Sequence, residues 1–159
     1  MNLRLADESD HAALEELLLE AVNWSAEGTL VTLDDLRAND TLVRYVDDWP
    51  RDDDAGVIAE EADRVVGAAW FRRFSQDRPG FGFIDEFTPE VSVAIAPGWR
   101  GKGAGSQLLD ALIEIGRERG FEGLSLSVDS RNQAVHLYRR LGFVVDRDED
   151  GSYTMRLQL

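Results

Sequence analysis

Apolar residues recur along this chain with two periods, and the alternation between them predicts its architecture. From Asp7 to Val22, Leu14, Leu17, Leu18 and Val22 share one side of a helix, with Asp7 or Ser9 placed to cap its start. A second, interrupted helical stretch is expected from Thr32 to Trp49. Leu108, Leu109, Leu112, Ile113 and Ile115 mark a third helix over Ser106 to Arg119, closed by Gly120, and a fourth over Gln133 to Leu141 stops at Gly142. Between these lie extended runs. Leu3 to Ala6 is a short first strand, and Gly56 to Glu61 with Arg64 to Phe74 reads as a hairpin closed around Ala62-Asp63. After the loop Ser75 to Glu86, rich in Gly, Asp and Phe, come the β-branched run Val91 to Ala96 closed by Pro97, the strand Gly123 to Val128, and a last hairpin of Phe143 to Arg147 with Ser152 to Leu157. This order predicts an α/β (α+β) mixed sheet flanked by helices.

The 159 residues, 43% of them hydrophobic, suit one compact domain over residues 1–159, with no low-complexity linker or repeat. The longest helix-like apolar run, Leu17 to Leu19, is too short to span a bilayer. Asp7, Glu8 and Asp10 make the N-terminus unlike a secretory signal. With no cysteine there is neither a disulfide framework nor thiol chemistry, which fits a cytoplasmic protein, and His11 and His136 alone form no metal cluster. The net charge of −14 argues against nucleic-acid partners. It keeps the protein soluble and can attract a cationic acceptor.

One stretch runs against that acidity. Arg100-Gly101-Lys102-Gly103-Ala104-Gly105 contains the only lysine and stands between a strand and a helix. Strand, glycine-rich basic loop and helix is an arrangement that holds a phosphate chain, because glycines let backbone N–H groups approach the anion and the helix N-terminus adds partial positive charge. The run fits neither the P-loop spacing nor the dinucleotide fingerprint, whose third glycine would fall at Ser106. A turn that binds nothing is the plain alternative.

Arg100, Gly103 and Gly105 resemble the acetyl-coenzyme A loop of the GNAT N-acetyltransferase superfamily. Asn132 to Phe143, with Ala134, Leu137-Tyr138 and Leu141-Gly142-Phe143, resembles that family's later motif, and Leu3 to Asp10 its usual opening. The resemblance covers about residues 3 to 157. It implies the GNAT fold, a mixed central sheet of about six to seven strands flanked by about four helices. It also implies acetyl-CoA as cosubstrate, no metal, and transfer of acetyl to a primary amine of a small molecule, protein or peptide. A non-catalytic acyl-CoA sensor and a transferase of a different acyl group remain alternatives, and a homodimer through the last strand is common among similar proteins.

The chemistry needs a neutral amine, although an alkyl ammonium has a pKa near ~10.4, and an acid for a thiolate leaving group of pKa ~8.5 to 10. By resemblance, Tyr138 is that acid; its plain alternative is a packed core aromatic. Val93, Ala94 and Ile95 run beside the pantetheine, backbone N–H groups from Gly101 through Lys102, Gly103, Ala104 and Gly105 to Ser106 hold the pyrophosphate, and Asn132 (or Arg131) positions the arm or caps a helix. Glu90 is the candidate base, its facing open to a one-residue shift should the strand carry a bulge. Asp85 and Glu86 could instead hold the acceptor's cation. Acceptor recognition is expected from Asn23 to Leu30, with Trp24 and Glu27, and from the Ser75 to Phe87 loop, with Phe81 and Phe83. Trp24 and Trp70 could equally fill core.

Overall fold

The computed structural model describes residues 1–25 and 27–159. Strands β1 (Asn2–Leu5), β2 (Ala55–Glu61), β3 (Arg64–Arg72), β4 (Glu90–Ile95), β5 (Gly123–Asp129), β6 (Val144–Glu149) and β7 (Ser152–Gln158) form one seven-stranded sheet in the order β1-β2-β3-β4-β5-β7-β6. Helices α1 (His11–Val22), α2 (Leu33–Ala38), α3 (Asp40–Val43), α4 (Ala104–Glu118) and α5 (Ala134–Arg140) flank it. The strand count falls in the expected range. One more helix than expected appears because Asn39 divides the second helical stretch: its backbone leaves the helical region (φ −91°, ψ 111°), and its side chain accepts from the Thr41 and Leu42 N–H groups to start α3. Asp7, one of two expected caps, closes a capping box on a short 3-10 turn ahead of α1.

Period-2 patterning sorts the strands' side chains between two cores. Val57 and Ala59 of β2, Val91 of β4, and Leu124, Leu126 and Val128 of β5 pack with Leu108, Leu109 and Leu112 of α4. Ile58, Ala68, Trp70 and Ala94 face the other way, against Leu14, Leu17 and Leu18 of α1, Leu36 of α2, and Tyr45 and Val46. With both faces covered, β3 reads as a near-continuous apolar run rather than an alternating one. At the β2–β3 turn, Ala62 and Asp63 adopt φ 49° and 63°, the paired left-handed geometry of a tight hairpin.

All neighbouring pairs are antiparallel except β4 and β5, which run parallel and register only at Glu90↔Ser125. β5 spends its other edge on β7 along its whole length, and β4 does the same with β3. Past the one shared pair the two strands part, and the sheet opens between them.

The opening is braced by Arg72, which is 1% exposed at the end of β3 and pairs in register with Glu90. Its guanidinium holds Asp54 through two bonds (3.1 and 2.6 Å) and donates to Asp47 (2.8 Å) and to the Arg44 carbonyl (2.7 Å). The segment after α3 is thereby tied to the sheet. Arg72→Ala, which leaves the buried Asp54 carboxylate only the Arg51 N–H (2.7 Å) and a long Arg51 side-chain contact (3.9 Å), is expected to lower unfolding stability by about 3–5 kcal/mol in urea titration. A loss under about 1 kcal/mol would contradict this role.

Candidate active site

A groove of about 1190 Å³ follows the parting of β4 and β5, slightly beyond the usual size of small-molecule sites, roughly 300–1,000 Å³. Of the residues singled out by sequence, Glu90, Val93, Ala94, Ile95, Arg100, Gly101, Gly105, Asn132 and Tyr138 line it together, as do Trp24, Glu27 and Phe81. Lys102, Gly103, Ala104 and Ser106 sit at the loop–helix junction and do not line it. Lys102 lies over the Trp99 ring at 4.9 Å. Of the segment 23–30, residue 26 lies outside the described residues. Asp85 caps Phe87 N–H and Thr88 Oγ1 on the surface, and neither it nor Glu86 reaches the groove. Trp70 fills core, with its Nε1 donating to the Tyr45 carbonyl (3.0 Å).

The backbone along one wall can receive an extended ligand. Ala96 N–H donates to the Val66 carbonyl (2.8 Å), which sets the parity of the β3–β4 ladder. Residues 92 and 94 therefore turn their polar groups to β3, while Val93 and Ile95 turn theirs into the groove, where no strand faces them. The ladder shows no register shift, so the bulge left open by sequence is not present here and Glu90 lies on the Ala94 face of β4. At the outer end, Gly101 and Gly103 hold φ 75° and 84°, left-handed geometry that favours glycine. Among the described residues, the N–H groups of Gly101 to Ser106 bond no backbone carbonyl and converge on the start of the 15-residue helix α4. Arg100 braces this loop by donating to the Ile95 carbonyl (3.2 Å) and pairing with Glu20 of α1 (3.3 Å). A Cβ on Gly105 would meet Leu137 at 3.2 Å, so the loop seats closely on α5.

Asn132 caps α5: its side-chain oxygen accepts from Ala134 N–H (2.9 Å), which leaves its amide N–H groups for the groove. Tyr138, 7% exposed, packs edge-on to Phe143 (6.0 Å), and burial alone holds its phenol above the ordinary value. It therefore stays protonated at neutral pH, able to donate.

At the deep end, where the strands meet, Glu90 is 3% exposed, and burial pushes its carboxyl up to about 7 against the pull of hydrogen bonds from Tyr45 and Gly82 and of the Arg147 charge. The Tyr45 hydroxyl donates to Oε2, and Gly82 N–H donates to Oε1 (3.0 Å). Residues 79–83 form a strap across the base of the opening. A Cβ on Gly82 would fall 2.7–2.8 Å from the Leu126–Ser127 backbone, so this crossing requires glycine there, and one on Gly80 would fall 2.4 Å from Glu90 Oε1 and displace that carboxylate. Arg147 reaches the strap from β6, donating to the Phe83 carbonyl (3.1 Å) and Thr154 Oγ1 (3.1 Å), from the point where the β6–β7 register shifts. A smaller cavity of about 310 Å³ includes Arg44, Arg51, Arg73 and Arg78 in its lining. Each of these arginines pairs with an aspartate, and Arg44 and Arg73 hold the strap's flanks at the Pro79 (2.8 Å) and Glu86 (2.7 Å) carbonyls.

Tyr45, Gly80, Gly82 and Arg147 were not singled out by sequence reasoning. The only available signal was the repeat of glycine and phenylalanine in Pro79-Gly80-Phe81-Gly82-Phe83.

The model of the acetyltransferase (GNAT) family matches residues 12–143. The chain belongs to this family. The acetyltransferase is 32% identical over 146 residues to the L-amino acid N-acyltransferase MnaT of Escherichia coli, a match covering 91% of this chain and 80% of that protein. Among solved structures, the ribosomal-protein-alanine N-acetyltransferase of Brucella melitensis has a TM-score of 0.71 at 30% identity, with both chains fully covered. The yncA putative acetyltransferase of Salmonella typhimurium, solved with acetyl-CoA, has a TM-score of 0.69 at 30% identity over 100% of this chain and 94% of that one. Among the described residues, no helix of the acetyltransferase is long and apolar enough to cross a membrane.

Glu90 also makes stability depend on pH. Its folded-state value lies above that of an unfolded glutamate, about 4.3, so the unfolded chain releases this proton first and rising pH favours unfolding. Glu90→Gln removes that term. The variant is expected to gain stability relative to the parent as pH rises from about 5 to 7, measured by denaturant titration at each pH. A constant difference between the two proteins would contradict the assignment.

Proposed function

We propose that this acetyltransferase moves the acetyl group of acetyl-CoA to the primary amine of a small molecule, with Glu90 as base and Tyr138 as hydrogen-bond donor at the sulfur. The observation that carries this reading is a carboxyl buried where the walls of the groove converge, which burial pushes up to about 7. A base with that value is ionised in about half of the molecules at neutral pH and can take a proton from an ammonium, directly or through a water. Acetyl-CoA, when bound, supplies an acyl thioester.

The chain's own residues fit such an arm at three places. The N–H groups of Gly101 to Ser106 suit a pyrophosphate, as does the α4 N-terminus. Val93 offers both backbone groups and Ile95 its N–H at a free strand edge, in the manner of a missing neighbour. Asn132 has amide N–H groups to spare. The Tyr138 phenol, held protonated by burial, serves as a donor where negative charge develops.

For the acceptor, the groove that holds Glu90 is also lined by Leu18, Trp24, Leu42 and Phe81. That suits a small amine with an apolar flank, in keeping with relatives that include an L-amino acid N-acyltransferase and a streptothricin acetyltransferase from Streptomyces lavendulae. A pure acyl-CoA sensor has no use for a buried base and a phenol in one groove, which favours turnover. We further propose that the chain acts as one domain and works in the cytoplasm.

Isothermal titration of acetyl-CoA is expected to show binding that an Arg100→Ala, Gly103→Asp double variant loses; no binding to the parent would overturn the cofactor assignment. In turnover of an amine found by screening for thiol release, kcat/KM should rise with pH through a midpoint near 7, because the ionised form of Glu90 is the active one. Glu90→Gln should abolish that rise and slow the reaction by about 10²- to 10⁴-fold. Tyr138→Phe, which keeps the ring, should lower kcat by about tenfold or more with little change in stability. A fully active variant of either kind sinks the corresponding role.

A further inference from the structure

We propose that Tyr45 is a positioning residue that couples the protonation state of Glu90 to the seating of the 79–83 strap. The proposal rests on the reading of Glu90 as base.

The Tyr45 hydroxyl sits in a relay. It donates to Glu90 Oε2, while its oxygen accepts from the Phe81 N–H (2.8 Å). The next amide, Gly82 N–H, closes the ring by donating to Oε1 of the same carboxylate (3.0 Å). Both carboxylate oxygens are thus held by the protein, and two consecutive strap amides supply one contact each, so the lone pairs left for an incoming proton are set by the relay. Hydrogen bonds in such a chain polarise one another, and in a buried setting an ionised acceptor strengthens all of them.

The phenol itself is fixed. Its ring meets Phe74 edge-on (5.1 Å, 65°) and stacks on Phe81 (6.3 Å, 14°), and its carbonyl accepts from Trp70 Nε1 (3.0 Å). Burial and the adjacent carboxylate hold its hydroxyl well above the ordinary phenol value, so Tyr45 donates its proton without losing it. Among the described residues, the groups that lower Glu90 are Tyr45, the Gly82 amide and Arg147 of β6, with the Arg147 charge the weakest of the three.

This geometry faces the acceptor. Phe81 is 55% exposed and lines the groove beside Glu90, although its own amide is committed to Tyr45. An acceptor that packs on the Phe81 ring therefore presses on the amide that orders the base. Conversely, when Glu90 takes up a proton, its pull on the Tyr45 hydroxyl and on the strap weakens.

The test is NMR of the intact chain, with ¹³C-labelled glutamate carboxyls and ¹⁵N amides followed between pH 5 and 9. In the parent, the Glu90 carboxyl and the Phe81 and Gly82 amides are expected to titrate with one shared midpoint. Tyr45→Phe keeps the ring and its stacking, and should raise the carboxyl midpoint by about one to two pH units, the size of one hydrogen bond to a charged group. It should also uncouple the Phe81 amide from the titration. Arg147→Gln should raise the midpoint by less than Tyr45→Phe does and leave the Phe81 amide coupled. An unchanged or lowered midpoint in a folded Tyr45→Phe protein overturns the proposal, as does a Phe81 amide that fails to titrate with Glu90 in the parent. The base reading fails separately: a fully active Glu90→Gln enzyme removes it without altering the outcome of the Tyr45 titration.

Discussion

Among the described residues, a single pair, Glu90 with Ser125, registers the two halves of the sheet across β4 and β5. Each strand is fully engaged on its far side, β4 with β3 and β5 with β7, so the fold tolerates a gap on the near side. Backbone polar groups left without a strand partner need another hydrogen-bonding ligand or water. Those of Val93 and Ile95 face the groove, which makes the gap receptive to an extended ligand able to bond like a strand. The parting of β4 and β5 is thus a sheet defect that leaves backbone groups open to a ligand.

What closes the base of that gap sets the surroundings of Glu90. The strap 79–83 passes close enough to β5 that only glycine fits at 82, and close enough to the Glu90 carboxylate that a side chain at 80 would displace it. Its proximity keeps water from Glu90, which raises the carboxyl into the neutral range, while Tyr45 and the Gly82 amide keep the ionised form accessible. Arg72 and Arg44 anchor the segments that carry Tyr45 and the strap. Buried ion pairs of this kind are weak sources of net stability but costly to break, which suits them to holding a site in register.

Much of this was legible in the sequence, because hydrophobic period and turn chemistry are local. The strands on either side of Ala62-Asp63, the helix after Gly103 and the stop at Gly142 follow from neighbours a few residues apart. The glycine-rich loop was equally visible, since Gly101, Gly103 and Gly105 stand together beside Arg100. The partners of Glu90 were not. Tyr45 lies 45 residues away and reads as one more apolar position of a broken helix, and Gly82 becomes a donor to Glu90 only once the strap has crossed β5. The same limit applied to the facing of Glu90, which hung on whether β4 carried a bulge. Its regular ladder with β3 resolves that question through contacts between strands, which no local pattern encodes.

In the proposed arrangement, one groove between β4 and β5 receives the cofactor from its outer loop down to Glu90. Amide chemical-shift mapping during a titration with acetyl-CoA tests it most directly. Perturbations are expected at Gly101 to Ser106, at Val93 and Ile95, and at Gly82 near the deep end, with the amides around Arg51 and Arg73 unmoved. Shifts centred on the Arg51–Arg73 cavity, or a silent β4 edge at saturation, would contradict it.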